Sequence, residues 1–274
     1  MSNCKVTERI IKRITKSSTK FRNDQIKWGK KDFMKTDMTQ GKPVKVLLGF
    51  TIPVFIGNVF QQFYNMVDAV VVGKFVGTKA LAAVGSTGTI IFLIIGFLLG
   101  LTAGFTVLTA QKYGAGKMDE MRQTVGNALI LTALISALMT AVSMTGMHAL
   151  LKFMHTPDDI FKDAYAYVMI ICGGIFAQAL YNILASILRA LGNSKVPLYF
   201  LILSAMLNIV LDLVFIIVFK LGAPGAAWAT IISQGVSGVL CLVYIWKFVP
   251  ELRMKKEDWY FRCNLAAKQI GVGI

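Results

Sequence analysis

The chain has 274 residues, of which 55% are hydrophobic and only 16% are charged, and its net charge is +15. A soluble domain of this length cannot bury so much apolar surface, so the composition excludes an ordinary soluble protein. No platform of interleaved aromatic residues accompanies the basic charge, and we therefore expect no binding to nucleic acid.

The first 45 residues are predicted to form a basic tail, since they hold 13 Lys and Arg residues and no long apolar run. They lack the apolar segment of a secretory signal, and their acidic residues argue against a mitochondrial presequence. We expect a solvated extension in the cytoplasm.

Six long stretches that follow the tail are apolar enough to cross a bilayer as helices. Each exceeds the about 20 residues that a spanning helix needs, and none alternates like a barrel strand. They are residues 46–72, 80–111, 123–151, 164–188, 196–219 and 221–246. We predict an all-α polytopic membrane protein with a six-helix transmembrane lobe over residues 46–249. In the second stretch, Gly96, Gly100 and Gly104 form a stripe that predicts close packing of a neighbouring helix.

The basic residues of the loops indicate how these helices are oriented. Of the 29 Lys and Arg residues, 24 lie in the tail or in the loops 112–122, 189–195 and 247–268, which fall on one side of the membrane. Cytoplasmic loops carry such an excess. We therefore expect a multi-pass protein of the cell membrane, with the lipid bilayer as partner and the N-terminus in the cytoplasm.

Residues 250–274 are predicted to be a cytoplasmic connection followed by the beginning of a seventh helix. The pattern turns apolar again after residue 262 and reaches Ile274 while still apolar. We expect the sequence to be a fragment, or one half of a duplicated architecture.

Two acidic residues, Asp68 and Asp212, lie inside the predicted spans. A charge within a bilayer is costly, and the spans hold no Lys or Arg to neutralise one. Each aspartate must therefore be protonated part of the time, bind a cation or face water. For Asp212 the alternative is a structural carboxyl group bonded to Asn208 or to a neighbouring Ser or Thr. For Asp68 it is a partly solvated position near the outer interface.

Polar side chains share helix faces with both aspartates. Gln61, Tyr64 and Asn65 follow helical spacing toward Asp68, and Asn208 precedes Asp212 by one turn. Carboxylate, amide and hydroxyl oxygens are the ligands that hard cations such as Na⁺ prefer, and Thr230 offers a further hydroxyl. Polar residues in membrane helices line cavities or bond neighbouring helices. The candidates for lining a cavity are Gln61, Tyr64, Asn65, Gln178, Tyr181, Asn182 and Gln234.

Motifs of catalysis are absent from the sequence, which has no phosphate-binding glycine loop with lysine, no GxSxG and no HExxH. We expect no enzymatic activity and no cofactor. Energy for transport would come from an ion gradient, with Na⁺ or H⁺ as the transported ion.

Three segments resemble the multidrug and toxic compound extrusion (MATE) family. They are NMVDAVVVGKFVGTKALAAVG (65–85), ILRALGNSKVPL (187–198) and LNIVLDLVFIIVFKLGAPGAAWATIISQ (207–234). The resemblance implies one lobe of a 12-helix antiporter, whose second six-helix lobe would be a partner. It also implies that Asp68, Asn208, Asp212 and Thr230 couple Na⁺ or H⁺ to the export of amphipathic, often cationic compounds.

Two alternatives remain open from the sequence. A related flippase would move a lipid-linked or polysaccharide precursor, although the absence of basic residues from the spans argues against it. A half-lobe that does not transport would serve as a partner subunit.

Overall fold

The computed structural model describes residues 43–273, which form helices and no strands. The helices are α1 (Pro43–Phe75), α2 (Thr78–Gly114), α3 (Met118–Phe153), α4 (Asp158–Gly173), α5 (Ile175–Ala190), α6 (Lys195–Leu213), α7 (Ala223–Phe248) and α8 (Cys263–Gly273). A π-helical turn over Val214–Val218 extends α6, and two 3₁₀ turns, Pro250–Leu252 and Lys256–Trp259, lie between α7 and α8. The predicted tail lies outside the described residues except for 43–45, which already belong to α1.

The prediction of an all-α polytopic membrane fold is confirmed. Four helical segments are long and apolar enough to span a bilayer, namely α2, α3, α6 with its π-helical turn, and α7. The pair α4 and α5 forms a fifth span if it is taken as one broken helix. Helix α1 is not among these five, although its 33 residues would extend about 50 Å. Its role as the sixth span stays a prediction.

The fourth predicted span is bent rather than continuous. Its two halves, α4 and α5, meet at Gly174 with an angle of 45°. A Cβ atom on Gly174 would lie 2.2 Å from Cγ1 of Ile231, so only glycine lets α7 approach this closely. Two consecutive glycines also weaken the helix at this point. The bend therefore combines low helix propensity with a close contact between helices.

Helix α1 packs against α6, and α6 packs against α7. At the first of these contacts, Gly57 is buried, and its missing side chain leaves room for Leu198 and Leu201 of α6. The glycine stripe of α2 behaves differently from the prediction. A Cβ atom on Gly96 or Gly100 would meet no neighbouring atom within 4 Å, so these two glycines face open space.

The chain between α7 and α8 lies against α3, and α8 itself packs against both α2 and α3. A Cβ atom on Gly126 of α3 would lie 2.2 Å from the carbonyl oxygen of Asp258, so glycine is required for this contact. The fully buried Gln269 of α8 donates from Nε2 to the carbonyl oxygens of Phe105 (3.2 Å) and Thr124 (2.9 Å). Its Oε1 accepts a hydrogen bond from Asn127 Nδ2 at 2.7 Å. These bonds attach α8 to both helices.

Candidate functional site

A cavity of about 560 Å³ lies between α1, α2, α4, α5 and α7. Its apolar wall comes mainly from α2, where Val84, Ile91, Ile95 and Leu99 follow helical spacing. The opposite walls are polar. Among the described residues that line the cavity, Asp68 is the one charged side chain.

The polar face of α1 contributes most of the hydrophilic lining. Gln61, Tyr64, Asn65 and Asp68 all lie on the cavity, as their helical spacing predicts. Across the cavity, Gln234 of α7 donates from Nε2 to the Tyr64 hydroxyl at 3.4 Å. This bond joins α1 to α7 one helical turn before Asp68. It therefore fixes the part of α1 that carries the acidic side chain.

The two aspartates that the sequence separates by more than 140 residues meet in the fold. The carboxyl groups of Asp68 and Asp212 interact directly, and the Thr230 hydroxyl is a further neighbour of Asp68. Asp212 lies behind the cavity wall and is fully buried. No ion pair within residues 43–273 includes either aspartate. Two carboxylates this close repel each other unless a proton or a cation lies between them.

Buried oxygen atoms without a hydrogen-bond partner are concentrated at this pair. Within the described part of the chain they include Asp68 Oδ1, Asn208 Oδ1 and both carboxylate oxygens of Asp212. Asn208 Nδ2 donates to Thr230 Oγ1 at 3.4 Å, and Thr230 Oγ1 donates to the Ala226 carbonyl at 3.0 Å. The amide of Asn208 therefore presents its nitrogen to Thr230, and its oxygen is left without a donor. Buried polar atoms are rarely left unpaired in proteins, so this cluster is a candidate binding site.

The predicted cavity-lining residues of α5 are divided by the structure. Gln178 and Asn182 line the cavity, whereas Tyr181 does not. The Tyr181 side chain is buried, and its hydroxyl donates to the carbonyl oxygen of Pro197 at 3.0 Å. Residues 178, 181 and 182 lie within an arc of about 100° on α5, and Tyr181 stands at the edge of that arc that faces α6. The prediction that Tyr181 lines the cavity is therefore wrong, and this residue bonds neighbouring helices.

Sequence reasoning missed Tyr167 of α4. Its side chain lines the cavity and interacts electrostatically with Asp68, Asp212 and Tyr64. It also packs against an apolar cluster that lies toward the C-terminal ends of α1 and α6 and includes Val72 and Ile216. A hydroxyl group inside a charge-free span was the signal available in the sequence, but a tyrosine in a membrane helix is common.

The donor set at the acidic pair fits a small hard cation. It offers carboxylate, amide and hydroxyl oxygens, and no sulfur or imidazole ligand. Within residues 43–273, no group of three or more His, Cys, Asp or Glu side chains could hold a metal ion. A transition-metal site is therefore not formed by these residues, whereas an alkali cation or a shared proton is compatible with two carboxylates supported by neutral oxygens.

Three comparisons place this architecture among known proteins. Residues 53–214, more than half of the chain, match the MatE family model. The chain is 34% identical over 225 residues to the probable multidrug resistance protein YpnP of Bacillus subtilis, and covers 51% of that protein with 81% of its own length. It is 32% identical over 211 residues to the probable multidrug resistance protein YoeA of the same organism, covering 46% of it with 76% of its own length.

The fold resembles that of an outward-facing multidrug resistance transporter of the MATE family and MOP superfamily. The two structures superpose with a TM-score of 0.80 and 26% sequence identity, over 87% of this chain and 53% of the transporter. The chain thus spans about half the length of the curated relatives that it matches. With the family model, the relatives and the fold in agreement, the chain belongs to the MATE family of membrane transporters.

Proposed function

We propose that this chain is one lobe of a secondary active antiporter that exports amphipathic, often cationic organic compounds in exchange for Na⁺ or H⁺. The observation that carries the proposal is the pair formed by the carboxyl groups of the half-buried Asp68 and the fully buried Asp212, which has no basic partner within residues 43–273. Such a pair is stable only when it holds a proton or a cation.

Asp68, Asp212, Asn208 and Thr230 together form the proposed coupling site. Asp68 and Asp212 supply the charge, while Asn208 Oδ1 and the Thr230 hydroxyl supply neutral oxygens. Because Asp68 also lines the cavity, a substrate in the cavity and an ion at the pair compete for the same carboxylate. Competition of this kind is the simplest way to exchange one for the other, since each lowers the affinity for the other.

The cavity wall supports a cationic or neutral substrate. Among its described lining residues there is no Lys or Arg, and its single formal charge is that of Asp68. The apolar face of α2 offers contact to aromatic or aliphatic groups, and amides such as Gln178 and Asn182 offer hydrogen bonds. This lining disfavours the flippase alternative, because an anionic phosphate-linked precursor would be repelled by Asp68.

Ion binding can change the shape of the lobe through α1. Helix α1 carries Pro53 in its interior and Asp68 near its outer end. Proline removes one backbone hydrogen bond and allows a bend, so neutralising Asp68 would shift the balance between two shapes of α1. Only a difference in ion affinity between these shapes can drive export.

The proposal includes a location and a partner. The charge asymmetry of the loops supports a multi-pass protein of the cell membrane with its N-terminus in the cytoplasm. A second six-helix lobe would complete the transporter, as in relatives about twice the matched length.

The test uses the chain reconstituted in liposomes that contain a fluorescent cationic dye. Imposed Na⁺ and proton gradients, applied separately, identify the coupling ion. We expect gradient-driven dye movement to fall at least about tenfold in Asp68→Asn and in Asp212→Asn, since coupling energies of a few kcal/mol correspond to such factors. The matched control is Asp163→Asn, which makes the same chemical change at an exposed position.

Binding of radioactive Na⁺ to the purified chain separates ion binding from transport. Transport that continues at an unchanged rate in Asp212→Asn contradicts the coupling site. Ion binding without any dye movement in the unmodified chain would mean that this lobe does not transport by itself and needs its second lobe, and the coupling site is then tested by the loss of Na⁺ binding in Asp68→Asn and Asp212→Asn.

A further inference from the structure

A second cavity, of about 620 Å³, lies at the ends of α2, α3 and α8, away from the acidic pair. Three basic side chains line it, namely Lys112 of α2, Arg262 just before α8, and Lys268 of α8. The other polar groups in the lining include Gln111, Gln123 and Asn264, which are neutral hydrogen-bond donors and acceptors. The transport proposal makes no use of this cavity.

The lining has an unbalanced positive charge. Its one carboxylate, Glu120, accepts from Lys112 Nζ at 2.5 Å and also pairs with Lys117 Nζ at 3.0 Å. Within residues 43–273, neither Arg262 nor Lys268 forms an ion pair. The guanidinium group of Arg262 and the ammonium group of Lys268 therefore line the cavity without a carboxylate of the described chain to neutralise them. A bound anion would be stabilised there.

The frame of this cavity is built by buried hydrogen bonds. Gln269 attaches α8 to α2 and α3, as described above, and Asn127 Oδ1 accepts from the backbone N–H of Arg262 at 3.1 Å. Thr109 Oγ1 of α2 donates to Thr124 Oγ1 of α3 at 3.2 Å. Because these groups fix the three helix ends, the cavity is preformed, and a ligand would bind without a large cost of ordering.

The position of the cavity is that of the membrane surface. Trp259, Tyr260 and Phe261 precede Arg262 directly and are 50%, 71% and 44% exposed. A run of exposed aromatic side chains is typical of the zone where lipid headgroups meet hydrocarbon. The loops that form this end belong to the side with the excess of Lys and Arg, which corresponds to the cytoplasmic leaflet and its anionic lipids.

We propose that this cavity binds the phosphate-bearing headgroup of an anionic phospholipid of the cytoplasmic leaflet. Arg262 and Lys268 contact the phosphate, and the neutral amides contact the remaining polar groups of the headgroup. The exposed aromatic run 259–261 lies along the upper acyl chains. The bound lipid thereby attaches the connection between α7 and α8 to the membrane. This inference is independent of the transported substrate.

Cys263 offers a direct probe, because it lines the cavity and is exposed, whereas Cys172 and Cys241 are buried. In a Cys4→Ser background, the purified chain in a neutral detergent is treated with N-ethylmaleimide, and labelling of Cys263 is followed by mass spectrometry. Phosphatidylglycerol is titrated in one arm and phosphatidylcholine in another. At about five times the Kd of the lipid, mass action leaves roughly one sixth of the sites open, so labelling should slow about sixfold.

The charge variant and its control make the assay specific. Arg262→Gln with Lys268→Gln should raise the phosphatidylglycerol concentration needed for protection about 30-fold, since each basic residue near anionic lipid contributes about fivefold. Lys152→Gln with Lys162→Gln removes the same charge from two exposed side chains in the region predicted to lie outside the cytoplasm, and should leave protection unchanged. Equal labelling of Cys263 in both double variants without lipid establishes that the cavity is still folded.

Three results would overturn the proposal. The first is equal protection by phosphatidylcholine, and the second is full protection in the Arg262→Gln, Lys268→Gln variant. The third is protection by inorganic phosphate or glycerol phosphate at the concentration that is effective for the lipid, because it would assign the site to a free phosphate compound.

Discussion

Replacement of Gln269 by methionine tests how α8 is attached to the lobe. Methionine nearly preserves the volume of glutamine but removes its three hydrogen bonds, to the carbonyl oxygens of Phe105 and Thr124 and from Asn127. At about 1 kcal/mol for each bond, and with the Asn127 amide left without its acceptor, the attachment should weaken by about 2–4 kcal/mol. This corresponds to an increase of roughly 30- to 1000-fold in the population with α8 detached.

Limited proteolysis measures this population directly. Arg253 and Arg262 flank the segment between α7 and α8, and trypsin cleaves there when the segment leaves the lobe. When cleavage is slow relative to reattachment of α8, the cleavage rate is proportional to the population with α8 detached. Gln269→Met should therefore be cleaved at least tens of times faster than the unmodified chain. Asn264→Ala, an exposed polar change on the same helix, should be cut at the original rate. Equal rates for Gln269→Met and the unmodified chain would refute the reasoning.

Three further predictions concern the spans. Gly174→Ala should lower the free energy of unfolding, followed by thermal unfolding, by about 1–3 kcal/mol, because the added Cβ overlaps Ile231 Cγ1. Adding Ile231→Ala to the same chain should restore part of the lost stability. Thr230→Val, which removes the hydroxyl bonded to Asn208, should weaken Na⁺ or H⁺ binding several-fold without loss of folding; unchanged ion binding would exclude Thr230 from the site. Cys263 should react with a neutral maleimide in the folded chain, whereas the two buried cysteines of the spans should react only after denaturation; early labelling of either would contradict the packing.

The membrane class and the two aspartates could be predicted from the sequence because both depend on the bilayer rather than on packing. A long apolar stretch has few stable alternatives to a spanning helix, and a carboxyl group inside one is conspicuous. Helical spacing also placed Gln61, Tyr64 and Asn65 on the face of Asp68, and all line the cavity. Periodicity determines which residues of one helix share a face, so these predictions needed no knowledge of neighbouring helices.

Predictions that depended on contacts between helices were less successful. Tyr181 is polar and in a span, yet its hydroxyl is used by Pro197. Gly96 and Gly100 form a stripe suited to packing, yet a Cβ atom on either would meet no atom of the described chain within 4 Å. Whether a polar or small residue meets a cavity, a carbonyl group or nothing depends on the rotation of each helix about its axis. That rotation is decided jointly by all of the neighbours.

The sequence by itself determined that the chain crosses a membrane, which loops carry the excess of basic charge, and that Asp68 and Asp212 are the two acidic side chains in the spans. Only the tertiary structure decided that these two carboxyl groups meet, that Tyr167 joins them, and that Arg262 and Lys268 line a separate cavity. Hydrophobicity and helical period are local properties that can be read along the chain. Contact between residues far apart in sequence depends instead on how the helices pack, and the bend at Gly174 is part of that packing.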